Sequence, residues 1–228
     1  MAKARKTAKK RPTPTKTTGS LLKDKAYSRI KERILSDKFS PGSFLSERQV
    51  ASWLGMSKTP IKAAFERLEH EGFISVSPQQ GVVVRDLNIH EIADHFELRV
   101  ALESFVARNI AGRLTSEQIQ LLKDNLEAQK QSIENEDVSE SVFLDGSFHA
   151  LICSFLGNQE MNRVINDLKD KIYRVVSRVF TRHPKRPVTS YAEHKRIANA
   201  ILKGEADKAA NLMTAHLENG KQFLLLPR

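Results

Sequence analysis

Residues 46–84 read SERQVASWLGMSKTPIKAAFERLEHEGFISVSPQQGVVV, and this stretch leaves the chain few folds to choose from. Val50, Trp53 and Leu54 fall at i, i+3 and i+4, and Gly55 follows where a left-handed stop belongs. After a tight turn, Ile61, Ala64, Phe65 and Leu68 mark one apolar helical face, ended by Gly72. Thr59 and Pro60 are expected to open this second helix as cap and first-turn residue, because proline lacks only an N–H that has no helical partner there. Phe73-Ile74-Ser75-Val76 and Val82-Val83-Val84 flank the polar segment 77–81, the chemistry of a hairpin. Two short helices followed by a β-wing make a winged helix-turn-helix. Arg48 starts the first helix, and Lys58 and Lys62 lie one turn apart on the outward side of the second. Positive charge and orphan N–H groups at such helix starts suit phosphates.

The chain of 228 residues has room for a small and a larger domain, each with its own core. No apolar run approaches the roughly 18 residues that span a bilayer, and the basic N-terminus lacks the apolar segment of a secretory signal. Cys153 stands alone among Leu151, Ile152 and Phe155, as a small buried hydrophobe would. A cytoplasmic protein is expected, with no membrane partner. The net charge of +10 is uneven. Residues 1–19 carry Lys3, Arg5, Lys6, Lys9, Lys10, Arg11 and Lys16 with no acid, which is +7 and leaves +3 for the remainder. Lacking apolar residues to bury, this tail is expected to be disordered, either as a solubilising extension or as an arm that adds phosphate contacts.

The motif supports a specific resemblance. Leu45-Ser46-Glu47-Arg48 followed by SKTPIKAAFERLEHEG is similar to the DNA-binding domain of the GntR family of bacterial regulators. The similarity implies that Arg48, Lys58, Thr59 and Lys62, with Gln80 and Gly81 at the wing, face DNA. Positions 58 and 62 hold lysine where the family usually has arginine. A lysine is a point donor rather than a bidentate fork, so a different operator or weaker base discrimination is expected. Tyr27, Ile30, Ile34 and Leu35 place a supporting helix over residues 25–39, closed by Ser40-Pro41-Gly42.

Residues 85–88 read as a linker, and beyond them the pattern is helical throughout. Asn88 can cap a helix running to Gly112, with Ile92, Phe96, Leu98, Leu102, Phe105, Val106 and Ile110 as its apolar positions. Thr115 and Gln118 form a capping box for the next helix, to about Asn135. Further helices are expected over residues 139–156, 159–180, 191–203 and 205–225, with a loop at 181–188 that contains two prolines. The fold class is therefore mainly α: an N-terminal winged helix-turn-helix over residues 20–84 and a C-terminal antiparallel all-α bundle over 89–228.

One constellation in the bundle carries chemistry. Asp145 and His149 are four residues apart and share a helix face. His194 precedes Gly204 by 10 residues and His216 follows it by 12. If the chain folds back at the glycine, both lie roughly 15–18 Å from the turn at about 1.5 Å per residue, and so sit level. A carboxylate and three imidazoles suit a divalent metal, zinc first, with nickel, manganese or iron(II) as alternatives. The segments FLDGSFHALI, YAEHKRIANAI and TAHL resemble the FCD ligand-binding domain of FadR-type GntR regulators, and six helices resemble its shorter, VanR-like branch. That resemblance implies that Asp145, His149, His194 and His216 bind the metal. It also implies that Arg99 faces an effector pocket, where it would hold a small carboxylate or pair with Glu103. His70, His90, His95 and His183 fit no constellation and are expected at the surface.

A metal with three histidines could also activate water, as in hydrolases, but no general-base motif, nucleophile elbow or phosphate-cradling loop accompanies it. An architectural DNA-binding protein with a structural metal is the other alternative. The sequence is read as a homodimeric, non-enzymatic repressor of a double-stranded inverted-repeat operator, released by a small organic acid.

Overall fold

The computed structural model describes residues 18–77 and 81–225, which form nine helices and a three-stranded sheet in two compact units. In the first unit, α1 (Thr18–Leu35) presents Ala26, Tyr27, Ile30 and Ile34 to the core. This helix begins earlier and ends sooner than residues 25–39. No breaker lies between Ser20 and Lys25, and Asp37 takes a left-handed φ of 53° before the proline is reached. α2 (Glu47–Leu54) is capped by the Ser46 side chain, which accepts from the Gln49 N–H at 3.2 Å, and closes on Gly55. α3 (Lys58–His70) buries Ile61, Ala64, Phe65 and Leu68. Its N-cap is Ser57 rather than Thr59, and Pro60 is buried in the first turn, where its missing N–H costs no hydrogen bond.

Behind these helices lies a sheet of order β1-β3-β2, antiparallel throughout. β2 (Ile74–Ser77) and β3 (Gly81–Val84) are the hairpin of the wing. β1 (Phe44–Leu45), which sequence periodicity could not reveal at two residues, pairs Phe44 with Val83 and Leu45 with Val82. Trp53 does not join the core; it is 37% exposed beneath the Arg33 guanidinium, 4.0 Å from its ring centre. A polar cluster ties α1 to the end of α3: Lys31 Nζ and Tyr27 Oη both donate to Glu71 Oε2, at 2.9 and 2.6 Å.

The second unit carries the helical domain: α4 (Ile89–Ile110), α5 (Ser116–Glu134), α6 (Val138–Phe155), α7 (Gln159–Arg182), α8 (Arg186–Leu202) and α9 (Ala206–Leu225). The anticipated capping box of Thr115 with Gln118 forms on α5, and Asn88, expected as a cap of α4, forms a further box with Glu91. Phe148, Ile152, Ile197, Ile201, Met213 and Leu217 are fully buried in the core. Leu98 and Phe105 are not; their side of α4 is exposed, because a helix buries only an apolar stripe and these two lie off it. α8 starts five residues before the expected position. Pro187 sits in its first turn, so the prolines read as a loop signal include one that opens a helix.

The fold-back between α8 and α9 is fixed against the end of α4. Gly112 and Gly204 both have left-handed backbones, at φ 72° and 75°, and the Gly112 N–H donates to the Ile201 carbonyl at 2.8 Å. A Cβ on Gly112 would stand 3.1 Å from the Gly204 Cα. No described helix is long and apolar enough to cross a membrane.

Candidate metal centre and nucleic-acid interface

α6 sends Asp145 and His149 inward from successive turns, α8 supplies His194, and α9 supplies His216. All four are at least nine-tenths buried. One ligand atom from each lies within 4.8 Å of all the others, the only such group among the described residues. His216 Nε2 is 3.1 Å from His149 Nε2 and 3.2 Å from His194 Nε2, and His194 Nε2 is 3.8 Å from Asp145 Oδ1. Phe148 stacks on His194 with ring centres 3.9 Å apart and planes within 16°.

The outward ring nitrogens are all engaged. His149 Nδ1 faces Glu103 Oε2 at 2.5 Å, His216 Nδ1 faces Glu193 Oε2 at 2.7 Å, and His194 Nδ1 faces Gln129 Oε1 at 2.9 Å. Burial alone would raise the pKa of Glu103, but Arg99 and His149 outweigh it and hold it at about 2. Glu193 is likewise held at about 2 by His216 and Arg186 against its burial. Ionised carboxylates only accept, so His149 and His216 donate from Nδ1. Gln129 spends its amide N–H on Asn125 Oδ1, at 2.7 Å, so its oxygen accepts from His194. Each Nε2 therefore carries a lone pair, and those of His149 and His194 both face the one on His216. Burial first, then the neighbouring cationic groups, lowers the pKa of His194 well below 6.5. Burial also lowers that of His216 despite Glu193, so added protons do not relieve the crowding. A divalent ion would. With Zn–N bonds of about 2.0–2.1 Å, two nitrogens stand about 2.9 Å apart at a right angle and about 3.3–3.4 Å at a tetrahedral one. The observed separations fall between these values, and the donor set fits a divalent metal.

Asp145 accepts from Ser190 Oγ at 2.7 Å, a supporting contact of the kind that orients ligand carboxylates. A cavity of about 30 Å³ adjoins the donors, and Arg99 and Arg186 are among the residues on its wall. Arg99 is 7% exposed and donates from Nε to Glu103 Oε1 at 2.6 Å. The ion pair and the pocket-facing position thus occur together. Sequence reading missed the partners Glu193, Gln129 and Ser190, and placed Arg186 in a loop. Glu193 adjoins His194 in sequence but points about 100° away around the helix, toward His216. His95 is half-buried rather than at the surface, with its Nδ1 unpartnered among the described residues.

In the first unit, Arg48, Lys58, Thr59, Lys62 and Gly81 are all exposed, and Gln80 lies outside the described residues. Lys31 and Arg67 are paired with Glu71, whereas Arg48, Lys58 and Lys62 make no ion pair among the described residues. Three cations without an ion pair among the described residues therefore stand near the N-terminal ends of α2 and α3, available to an anionic partner.

A winged helix and a helical domain with a buried donor cluster together define the class, a DNA-binding regulator with a second, all-helical domain. Residues 22–84 match the bacterial regulatory proteins of the gntR family, and residues 94–219 match the FCD domain. The chain is 30% identical over 192 residues, 84% of each protein, to the HTH-type transcriptional repressor RspR of Escherichia coli K12. Its fold is similar to that of a GntR regulator from Rhodococcus sp. RHA1, with TM-score 0.80, 18% identity, and coverage of 90% of this chain and 99% of that one. It is also similar to E. coli McbR/YncC, with TM-score 0.77, 19% identity, and coverage of 89% and 96%. The chain belongs to the GntR family and carries an FCD domain. It is a transcriptional regulator and not an enzyme.

Proposed function

We propose that this regulator is a homodimeric repressor whose grip on an inverted-repeat operator is set by a small carboxylate bound beside a divalent metal. The observation that carries the reading is the meeting of three buried Nε2 atoms, those of His149 and His194 each within 3.2 Å of that of His216, with an acceptor on the far nitrogen of every ring. Asp145, His149, His194 and His216 would hold the ion, zinc first, with nickel, manganese or iron(II) as alternatives. When bound, such an ion offers open coordination positions to a carboxylate, and Arg99 adds a guanidinium on the same cavity.

Residues 20–84 act as the reading head, with Arg48, Lys58, Thr59, Lys62, Gln80 and Gly81 on DNA. Residues 89–228 bind metal and effector and form the dimer, joined through a linker at 85–88. The basic residues 1–19 add phosphate contacts; residues 1–17 lie outside the described part of the chain. Such a protein works in the bacterial cytoplasm, at the nucleoid. The effector acts as a population shift, through its different affinity for DNA-competent and DNA-incompetent arrangements. The name of RspR, a repressor, favours this sign of regulation.

Metal content and operator binding test the reading together. His149→Ala is expected to lower metal occupancy well below that of the wild type, and to abolish the response of operator affinity to added carboxylates. Full metal retention by this variant would remove His149 from the site. Operator binding that ignores every carboxylate, with metal present, would leave the metal as a structural element only.

A further inference from the structure

The last turn of α3 and its cap carry two carboxylates that face different partners. Glu71 accepts from Tyr27 and Lys31 of α1, whereas Glu69 Oε1 accepts the Val76 N–H of β2 at 2.8 Å. β2 is an outer strand of the sheet, and the Val76 N–H lies on the edge that no described strand covers. Glu69 also holds the start of the path to that strand. Its carbonyl accepts from the Gly72 N–H at 2.9 Å, where the chain leaves the helix at a left-handed φ of 80°. Phe73 and Ile74 are then buried, but Ser75 is exposed and Val76 is 49% exposed. Packing thus secures the base of the wing, and the Glu69 carboxylate secures the stretch of edge beyond it.

The place of Glu69 on the helix gives this contact its meaning. Lys58, Lys62 and Glu69 all lie on α3, and at about 100° per residue their spacing puts them within about 40° of one another around its axis. The strand edge is therefore tied to the same stripe that carries the two exposed lysines, about 10 Å beyond Lys62 at about 1.5 Å per residue. A carboxylate in that position needs a reason. It stands about one Debye length from Lys62, close enough to repel phosphates gathered there. Its gain is a charge-assisted hydrogen bond, shorter and stronger than a neutral one. When the acceptor is removed, water reaches an N–H on an exposed edge, so the net loss of stability is small. What the carboxylate supplies is a fixed distance between helix and strand.

We propose that Glu69 is a positioning residue for DNA binding: it touches neither base nor phosphate, and through the Val76 N–H it locks β2 to α3, so that the recognition helix and the wing meet DNA as one surface. This rests on the proposed use of Lys62 and the wing on DNA. Charge and positioning predict opposite signs. Removing a carboxylate near phosphates tightens binding, whereas releasing the wing weakens it.

The test titrates the full chain against a DNA duplex enriched from a randomised pool by the wild type, with affinity read by fluorescence anisotropy. Glu69→Ala is expected to weaken binding at least about three-fold, the scale of coupling between contacting groups. Glu69→Gln keeps an acceptor oxygen without the charge, and should bind as tightly as the wild type or more so. The Trp53 fluorescence midpoint on denaturation should be the same in all three proteins. Hydrogen exchange at the Val76 amide should quicken in Glu69→Ala and not in Glu69→Gln. A double-mutant cycle completes the test: Gln80→Ala should weaken the wild type but have less than about half that effect in Glu69→Ala, while Lys62→Ala has the same effect in both. Undiminished binding by Glu69→Ala would overturn the assignment, as would equal losses in Glu69→Ala and Glu69→Gln. If Lys62→Ala or Gln80→Ala leaves wild-type binding unchanged, the parent reading falls and this one with it. If both weaken it and their effects simply add to that of Glu69→Ala, only the role of Glu69 falls.

Discussion

Glu103→Gln is the substitution that presses hardest on the buried network. Glu103 is wholly buried and accepts at both oxygens, from Arg99 Nε at 2.6 Å and from His149 Nδ1 at 2.5 Å. Glutamine is nearly isosteric, so no cavity forms, but it offers one acceptor and one donor. Whichever way the amide turns, an N–H group meets an N–H group on one side, and the Arg99 charge loses its counter-ion. Breaking a buried ion pair by removing one partner costs about 3–5 kcal/mol. Glutamine keeps one hydrogen bond, so a loss near the lower end, about 3 kcal/mol, is expected for the metal-free helical domain. Chemical denaturation after chelation, followed by far-ultraviolet circular dichroism, measures it. Trp53, the only tryptophan, lies on α2 and reports separately on the winged unit, whose fluorescence midpoint should hardly move. Turned with its oxygen to Arg99, the amide presents N–H to Nδ1 and drives the His149 proton to Nε2, where it points at the metal position, so metal affinity should fall about 10- to 100-fold. A stability loss below about 1 kcal/mol together with unchanged metal affinity would refute the whole account of oriented imidazoles.

Three further outcomes are expected. Lys62→Ala should weaken operator binding and reduce its salt dependence by roughly one counter-ion while metal content stays constant, as read by fluorescence anisotropy at several salt concentrations; equal binding by the variant would dismiss the assigned face. Burial favours the neutral form of Glu71, but Tyr27, Lys31 and Arg67 outweigh it and depress its pKa below 4.5. A depressed carboxylate stabilises the fold above its unfolded pKa and loses that contribution as pH falls through the folded value. Acid titration of the winged unit, followed by Trp53, should therefore show destabilisation below about pH 4.5 that Glu71→Gln flattens; a profile identical in both proteins would contradict this. Asn88→Ala removes the side chain that accepts from the His90 and Glu91 N–H groups at the start of α4. It should cost about 1 kcal/mol in denaturation of the helical domain, and no measurable cost would mean that water caps the helix as well.

Local rules made much of this molecule legible in advance. Capping chemistry at Asn88 and Thr115 marked helix starts, at Thr115 because a short polar side chain followed three residues later by Gln has few other uses. The convergence of His194 and His216 could be counted from Gly204 because helical rise is constant. What escaped depended on tertiary contact. β1 is two residues long and exists only through its pairing with β3. Leu98 and Phe105 fit the helical period but lie off the stripe that the core covers. Pro187 is as compatible with the first turn of a helix as with a loop, and only packing decides between them. Glu193 and Gln129 gave no signal, since a residue that supports a ligand across helices carries no spacing of its own. Arg99 and Glu103 were recognisable as a pair from their four-residue separation, but the third member, His149, lies 46 positions away.

The meeting of Gly112 and Gly204 gives the donor cluster something like a surveyor's datum. His194 and His216 are both measured off from that one backbone contact along two stiff rods, and neither carries any means of correcting its length. A residue added to either arm would rotate everything beyond it by about 100° and advance it by about 1.5 Å, carrying an imidazole off the cluster without disturbing any side chain within it. Chains that keep this cluster should therefore conserve the two distances to the turn as strictly as the histidines themselves, and tolerate changes of length only outside that span.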